Sequence, residues 1–192
     1  MIINASQLIQ QLHADLSEVI KEVNQRVESV KDLEHLNLPE ADRKWSMLQC
    51  VAHMTLAAQV YVDNTDKAFG KHEKRDPNYE FRSHWRSDFF TNRIAPDANA
   101  IIKNRIRTIK SMYPKEILDK EQTLNEFNDL HNRMLNQLEI ARNYDLNKIK
   151  IPSAVGPILK FRLGDGFRFV IAHAQRHIVQ LKRIHQNLPA HA

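Results

Sequence analysis

The feature that most constrains this chain is a helical period in its apolar residues, which recurs in four separate segments. In the first segment, residues 6–30, apolar side chains follow one another at intervals of three and four positions. They are Leu8 or Ile9, Leu12, Leu16, Val19 or Ile20, Val23, Val27 and Val30. Because an α-helix has 3.6 residues per turn, this spacing gathers them on one face and predicts a long amphipathic helix.

The second helical segment opens with a start signal. Ser46 followed three positions later by Gln49 has the form of a capping box, in which each side chain accepts a hydrogen bond from the other residue's backbone N–H. Trp45 stands immediately before the cap. The period then predicts a helix over residues 46–69. Gly70 is its expected C′ residue, since glycine readily takes the left-handed conformation found there.

Two later segments carry comparable signals. Thr123 and Glu126 have the capping-box spacing and predict a third helix that ends near Asn143. Asp165 is the expected N-cap of a fourth helix, which ends before Pro189. The connections between the four helices are therefore short, long and moderate.

Composition favours the same architecture. Only 4 glycines and 7 prolines occur among 192 residues, which leaves few obligatory turns and disfavours a many-stranded sandwich or barrel. A content of 42% hydrophobic and 27% charged residues fits one globular domain with a sizeable core. We therefore expect an all-α, four-helix bundle and a single domain over residues 1–192.

The long connection, residues 71–120, has no sustained period. If helices two and three are parallel, the chain must return along roughly 35 Å of helix two, at about 1.5 Å per residue. The length of the connection thus favours a crossover in an antiparallel-parallel-antiparallel bundle. Within it, residues 97–112 are expected to be partly helical. Four aromatic side chains are expected to pack onto the bundle: Phe81, Trp85, Phe89 and Phe90.

The formal net charge of +5 arises locally. Residues 103–115 contain no acidic side chain and carry five cations, namely Lys103, Arg105, Arg107, Lys110 and Lys115. We favour a solvated segment or one paired with acids elsewhere; the alternative is a segment that attracts an anionic substrate. Since no nucleic-acid-binding motif accompanies these charges, nucleic acid is not an expected partner.

The same sequence carries expectations about location. No apolar run approaches the roughly 18 residues that cross a bilayer. Residues 1–16 are amphipathic from the outset, unlike the apolar core of a signal peptide. A lone cysteine, Cys50, excludes an intramolecular disulfide. We expect a cytoplasmic protein with no membrane association.

Three histidines are the strongest candidates for a functional site. His173 and His177 are four positions apart in the fourth helix, on the face that also carries Val170 and Leu181, so both imidazoles point inward. His53 lies on the apolar face of the second helix. Three core-facing imidazoles can hold a divalent metal and leave a coordination position open for water or substrate. Histidines in satisfied core networks or on solvated faces are the alternative.

Other candidates carry weaker signals. Cys50 is one turn before His53 and is either a soft ligand or a small buried hydrophobe. Gln180, one turn after His177, could bond a metal-bound water, and His131 in the third helix is a minor candidate for the site. Four more histidines fall in loops or at helix ends and are expected to be exposed: His72, His84, His185 and His191.

Two segments resemble those of a known family. "KWSMLQCVAHMTLAAQVYV" is similar to the second helix of the DinB-like superfamily, where a Trp-Ser start precedes a ligand histidine. "LGDGFRFVIAHAQRHIVQLKRI" is similar to its last helix, with His-x-x-x-His-x-x-Gln. The resemblance implies an up-down-down-up bundle that binds a divalent metal, commonly zinc or nickel, through His53, His173 and His177. Gln49 departs from the acidic residue often found after the Trp-Ser start, which weakens any supporting role for it at the metal.

The resemblance also implies an activity. Members with assigned roles include thiol S-transferases that use bacillithiol or mycothiol, and a thiol-dependent isomerase. We therefore expect a metal-dependent thiol S-transferase or a hydrolase that acts on a small-molecule substrate, the transferase with a low-molecular-weight thiol cosubstrate. The alternative is a non-catalytic, stress-related metal-binding protein. A homodimer is expected because bundles of this type often associate through helix faces.

Overall fold

The computed structural model describes residues 1–41, 44–76, 78–104, 106–154 and 156–188, and it is mostly helical. The helices are α1 (Ala5–Ser29), α2 (Leu33–Asn37), α3 (Met47–Phe69), α4 (Trp85–Ile94), α5 (Lys120–Ala141) and α6 (Leu163–Gln186), with a 3₁₀ turn at Lys110–Met112. The strands are β1 (Ile2–Asn4), β2 (Glu80–Arg82), β3 (Lys150–Ser153) and β4 (Gly156–Arg162). None of the helices in these ranges has a stretch that could cross a membrane.

Four long helices form the core. α1 and α3 each pack against both α5 and α6, so every long helix has two principal neighbours. The apolar positions predicted for α1 are buried, apart from Ile20, which is half-buried: Leu8, Ile9, Leu12, Leu16, Val19, Val23, Val27 and Val30. The helical period therefore identified the face of α1 that packs against the rest of the molecule.

Contacts at the helix ends relate the helices to one another. The rings of Phe69, at the end of α3, and Tyr144, just after α5, stack with centroids 4.8 Å apart. At the other end of the bundle, Ser29 Oγ lies 2.9 Å from His185 Nε2, which joins the C-terminal ends of α1 and α6.

Two small antiparallel sheets modify the all-α prediction. β1 pairs with β2, placing Ile3 opposite Phe81, and β3 pairs with β4, placing Ile151 opposite Phe161. The strands lead directly into α1 and α6 or lie in the connections. The sequence pattern did not predict them because β1 and β2 have only three residues each, and β3 and β4 each contain a proline and show no strict alternation.

The capping predictions had mixed outcomes. The box formed by Ser46 and Gln49 is present at the start of α3 and is confirmed. Gly70 follows α3 as predicted, but its φ of −68° is right-handed, so the left-handed C′ prediction was wrong. At α5 the N-cap is Asp119, and Thr123 instead bonds the Asp119 carbonyl from within the helix.

The predicted cap of α6 was also wrong. The helix begins at Leu163, and Asp165 lies fully buried within its first turn. Its carboxylate accepts hydrogen bonds from the Ser83 hydroxyl, the backbone N–H of His84 and the guanidinium of Arg168. The aspartate therefore ties the crossover to α6 instead of capping it.

The crossover differs from expectation in its helical part. The helix is α4, and within residues 97–104 and 106–112 the 3₁₀ turn is the only helical part. Phe81 is buried and Phe90 half-buried, as predicted. Trp85 and Phe89, however, are 68% and 57% exposed, so their predicted packing was wrong: they lie on the outer face of α4.

Candidate metal centre

The structure brings together three histidines from two helices. α3 supplies His53, and successive turns of α6 supply His173 and His177. The Nε2 atom of His173 lies 3.2 Å from that of His53 and 3.1 Å from that of His177. His53 and His177 are only 5% and 7% exposed. Packing of α3 against α6 thus joins residues that are 120 positions apart in the chain.

The other ring nitrogens of two of these histidines have partners of their own. His53 Nδ1 lies 2.8 Å from the carbonyl oxygen of Met112, in the crossover. His177 Nδ1 lies 3.0 Å from Oε1 of Gln180, one turn further along α6. Because a carbonyl or amide oxygen can only accept, each Nδ1 donates its proton. In the neutral rings the Nε2 atoms of His53 and His177 therefore carry lone pairs.

These lone pairs converge. His173 Nε2 has at most one proton, so it can donate to one neighbouring Nε2 and must face the other without a hydrogen bond. A cation placed between the three atoms removes that conflict. Two nitrogens each about 2.05 Å from a tetrahedral Zn²⁺ lie roughly 3.3 Å apart, close to the observed spacings. The donor set therefore fits a divalent metal.

The electrostatic environment keeps the rings neutral. Burial lowers the pKa of His173 to about 3, with additional repulsion from Arg176 and from His53 whenever that ring is protonated. Burial and the neighbouring histidines hold the pKa of His177 well below its usual value. Burial also lowers the pKa of His53, against the opposing effect of its hydrogen bond to Met112. Neutral imidazole is the form that coordinates metals.

Trp45 covers the cluster. Its ring centroid is 4.6 Å from that of His53 and 6.0 Å from that of His177. From the sequence, Trp45 was predicted only to precede the helix cap. Its position beside the cap of the helix that carries His53 was the available signal. The indole limits access of water to the histidines from this side.

An apolar cavity of about 150 Å³ opens beside the histidines, and all three line it. The rest of its wall is largely aliphatic and aromatic, including Ala57, Ile94, Ile109, Met112 and Phe169. No acidic side chain lines it in the described part of the chain. The lone pairs of the cluster thus border a space that a small organic group can enter.

Comparison with known proteins assigns the chain to a family. A model of the DinB superfamily matches residues 10–181. The chain belongs to the DinB superfamily. This confirms the family expected from the two helix segments. Among curated proteins no sequence matches the chain.

One solved structure resembles this DinB-superfamily chain. It is YfiT from Bacillus subtilis, described as a probable metal-dependent hydrolase with an unusual four-helix bundle topology. The two share 16% sequence identity and a TM-score of 0.59, over 93% of this chain and 86% of YfiT. At this level of identity the likeness establishes the helical-bundle fold.

The candidates for supporting roles in this DinB-superfamily site lie in different places. Gln180 contacts the cluster by accepting from the Nδ1 proton of His177. The Gln49 side chain completes the capping box and donates to the carbonyl of Lys115, 3.2 Å away. Cys50 is fully buried among apolar side chains, and burial raises the pKa of its thiol, as for a small core hydrophobe.

The other histidines in the described part of the chain are separate from the cluster. His131 is buried in α5, where its Nδ1 lies 2.7 Å from the carbonyl of Phe127. His72 is exposed as predicted, whereas His84 and His185 are half-buried, and His84 caps α4. The prediction for His191 falls outside the described residues.

Arg176 is a further residue of the site that was not predicted from the sequence. It lies next to His177 in α6, lines the cavity, and donates to the carbonyl oxygen of Asn104 at 2.6 Å. A basic residue between two ligand-spaced histidines was the only signal in the sequence.

Proposed function

We propose that the chain is a divalent-metal-dependent enzyme in which His53, His173 and His177 hold the metal, zinc or nickel, and that it acts on a small molecule. The observation that carries the proposal is the convergence of three Nε2 atoms while the Nδ1 protons of His53 and His177 are engaged elsewhere. The description of YfiT as a probable metal-dependent hydrolase supports it.

When bound, a divalent metal would supply Lewis acidity that lowers the pKa of a coordinated water or thiol. The chain's own residues orient the histidine rings and shield the site from water. Met112 and Gln180 fix the rings of His53 and His177 through their Nδ1 protons. Trp45 covers the cluster on one side. The apolar cavity receives the substrate on another side and excludes bulk water from it.

Among metal-dependent reactions, thiol S-transfer is the version we favour. The described residues that line the cavity include no carboxylate to act as a general base. A thiol, with an ordinary pKa of about 8.5, needs less help to lose its proton than water does, at about 15.7. A low-molecular-weight thiol would then be the cosubstrate. Hydrolysis is the second candidate, favoured by the description of YfiT.

The first test is metal content by elemental mass spectrometry on protein purified without an affinity tag. We expect about one equivalent of zinc or nickel, lost in His173→Ala and in the double variant His53→Ala/His177→Ala. The matched control is His72→Ala, which changes an exposed histidine outside the cluster. Wild-type protein that cannot be loaded with either metal would refute the proposal.

The second test separates the reactions. Metal-loaded protein is assayed with a panel of low-molecular-weight thiols and electrophilic acceptors, and in parallel with activated esters and amides in the absence of thiol. Turnover that requires a thiol supports S-transfer, and turnover without one supports hydrolysis. If the protein binds metal tightly, gains thermal stability from it and turns over neither panel, it is a non-catalytic metal-binding protein.

We also propose the up-down-down-up helix order with a long crossover. The contact of Phe69 with Tyr144 supports parallel α3 and α5, and that of Ser29 with His185 supports parallel α1 and α6. The segment between α3 and α5 would then return along the bundle. In doing so it carries Met112 to the histidine cluster.

A further inference from the structure

A second concavity adjoins the histidine cluster. This outer cleft, of about 590 Å³, is lined by Lys44, Trp45, Tyr113 and Gln180. It shares a wall with the apolar inner cavity, made of His177, Arg176 and residues 106–108 of the crossover. His177 therefore borders both spaces, so a single molecule could extend from one into the other past the cluster.

The outer cleft is strongly basic. Lys44, Arg107 and Arg176 all line it, and its wall contains no acidic side chain in the described part of the chain. Of the basic segment identified in the sequence, Arg107 is the described cation that reaches the cleft. Lys103, by contrast, forms an ion pair with Asp97 at 3.2 Å. The positive field of the cleft thus comes from α6, from the crossover and from Lys44, which lies ahead of α3.

Arg176 provides the strongest evidence that the outer cleft binds an anion. Its guanidinium is half-buried and donates to the carbonyl oxygens of Ile94 and Asn104, at 3.5 and 2.6 Å. Within the described ranges no carboxylate lies within ion-pair distance of it. Removing a charge from water without a counter-charge is costly, and a guanidinium has five donors arranged to bind a carboxylate or phosphate.

The inner cavity has the opposite character. Its lining is mainly apolar, and a cavity of similar volume engineered in another protein stays dry and binds benzene. It therefore suits an uncharged group of about that size. Together the two spaces form a paired site, apolar on one side of His177 and anion-binding on the other.

We propose that the substrate or cosubstrate is a small amphipathic acid whose apolar group occupies the inner cavity and whose carboxylate or phosphate pairs with Arg107 and Arg176 in the outer cleft. This inference rests on the proposed function, since it places the reacting bond of that molecule beside the histidine cluster. It also explains why the crossover lies across the site: residues 106–108 separate the two spaces and contribute Arg107.

The test uses three probes titrated into purified protein by calorimetry: 3-phenylpropionate, its neutral amide, and 2-phenylethyl phosphate. We expect one or both anions to bind about tenfold more tightly than the amide, because charge-assisted hydrogen bonds to a guanidinium are strong. The tighter of the two anions identifies the preferred head group. Equal affinity for all three probes would overturn the proposal.

Matched variants assign the preference to the cleft. Arg107→Gln and Arg176→Gln should reduce the ratio of anion to amide affinity by at least about threefold each. Lys103→Gln removes the same charge from the same segment and should leave the ratio unchanged. If Arg176→Gln also weakens binding of the amide, the substitution has disturbed the crossover. In that case the ratio of anion to amide affinity in Arg107→Gln decides whether the cleft binds the anion. A ratio reduced equally in Lys103→Gln would mean general electrostatic attraction and no cleft site.

Failure here is distinguishable from failure of the proposed function. Neither arginine belongs to the histidine cluster, so metal content should remain near one equivalent in both variants. Protein that holds metal but does not prefer the anions refutes the anion site alone. Protein that prefers the anions but never holds metal refutes the metal-dependent enzyme and leaves an acid-binding cleft.

Discussion

The backbone carbonyl of Met112 lies 2.8 Å from Nδ1 of His53. The last residue of a 3₁₀ turn in the crossover thus orients a histidine of the core helix α3. The same hydrogen bond directs the Nε2 lone pair of His53 toward His173. The crossover is therefore part of the candidate metal centre as well as a connection between helices.

Gln180 should control metal affinity through the tautomer of His177. In Gln180→Leu the Nδ1 proton loses its acceptor, and we expect zinc affinity to fall about 10- to 100-fold, as for other partners of ligand histidines. Gln180→Glu retains a hydrogen-bond acceptor, so its zinc affinity should equal or exceed that of wild type. Competition with a chromogenic chelator measures both. Equal affinities in the two variants would show that the hydrogen bond has no such role.

Trp45 should report metal binding by fluorescence. The chain has 2 tryptophans, and only Trp45 lies against the histidines, while Trp85 is exposed on α4. We expect zinc or nickel to change the emission of Trp85→Phe, in which Trp45 is the only fluorophore of its kind. Trp45→Phe should show little change on metal addition. A change in Trp85 emission on metal addition to Trp45→Phe would contradict the geometry of the cluster.

His131 should make the protein sensitive to acid. Burial lowers its pKa to about 4 in the folded chain, against the raising effect of its bond to Phe127, whereas an unfolded histidine titrates near pH 6.5. Between these values the unfolded state binds the additional proton. Stability from this group is therefore complete above about pH 6.5 and declines as the pH falls toward 4.

The corresponding variant is His131→Gln, compared with wild type by urea unfolding between pH 7 and pH 4. As the pH falls from 7 to 4, the free energy of unfolding of the variant should rise relative to that of wild type by on the order of 1–3 kcal/mol. A difference that is independent of pH would mean that His131 does not titrate on unfolding.

Gly164 should tolerate no side chain. A Cβ at this position would lie 2.6 Å from Cε2 of Phe81, a residue of β2 whose ring is fully buried against α6. We expect Gly164→Ala to destabilise the fold by about 1–3 kcal/mol, as for other overpacked cores. Gly166→Ala is the comparison: its Cβ would meet the terminal methyl of Ile151 at 2.7 Å, which can rotate away. Thermal unfolding that affects both equally would contradict this difference.

Local signals in the sequence succeeded where neighbouring residues alone decide the structure. The box of Ser46 and Gln49 formed because both partners lie within one turn of α3. Thr123 and Glu126 have the same spacing, yet α5 starts earlier, at Lys120, with Asp119 as its N-cap. There the side chain of Asn37 holds both the N–H and the carbonyl of Leu118, so a distant contact sets where the helix begins.

The sequence pattern could not predict which aromatic side chains of the crossover are exposed. Phe81 is buried because strand β2 pairs with β1 and places its ring against α6. Trp85 and Phe89 point outward from α4. Residue type could not separate these cases, because burial depends on which neighbour each side chain meets.

By itself the sequence determined the long helices, their buried faces, and the placement of His173 and His177 on one face of α6, since the helical period is a local property. Only the tertiary structure decided that His53 meets them, that Met112 orients the ring of His53, and that Arg176 borders two different spaces. These arrangements join residues far apart in the chain. They depend on how the helices and the crossover pack, which no local period encodes.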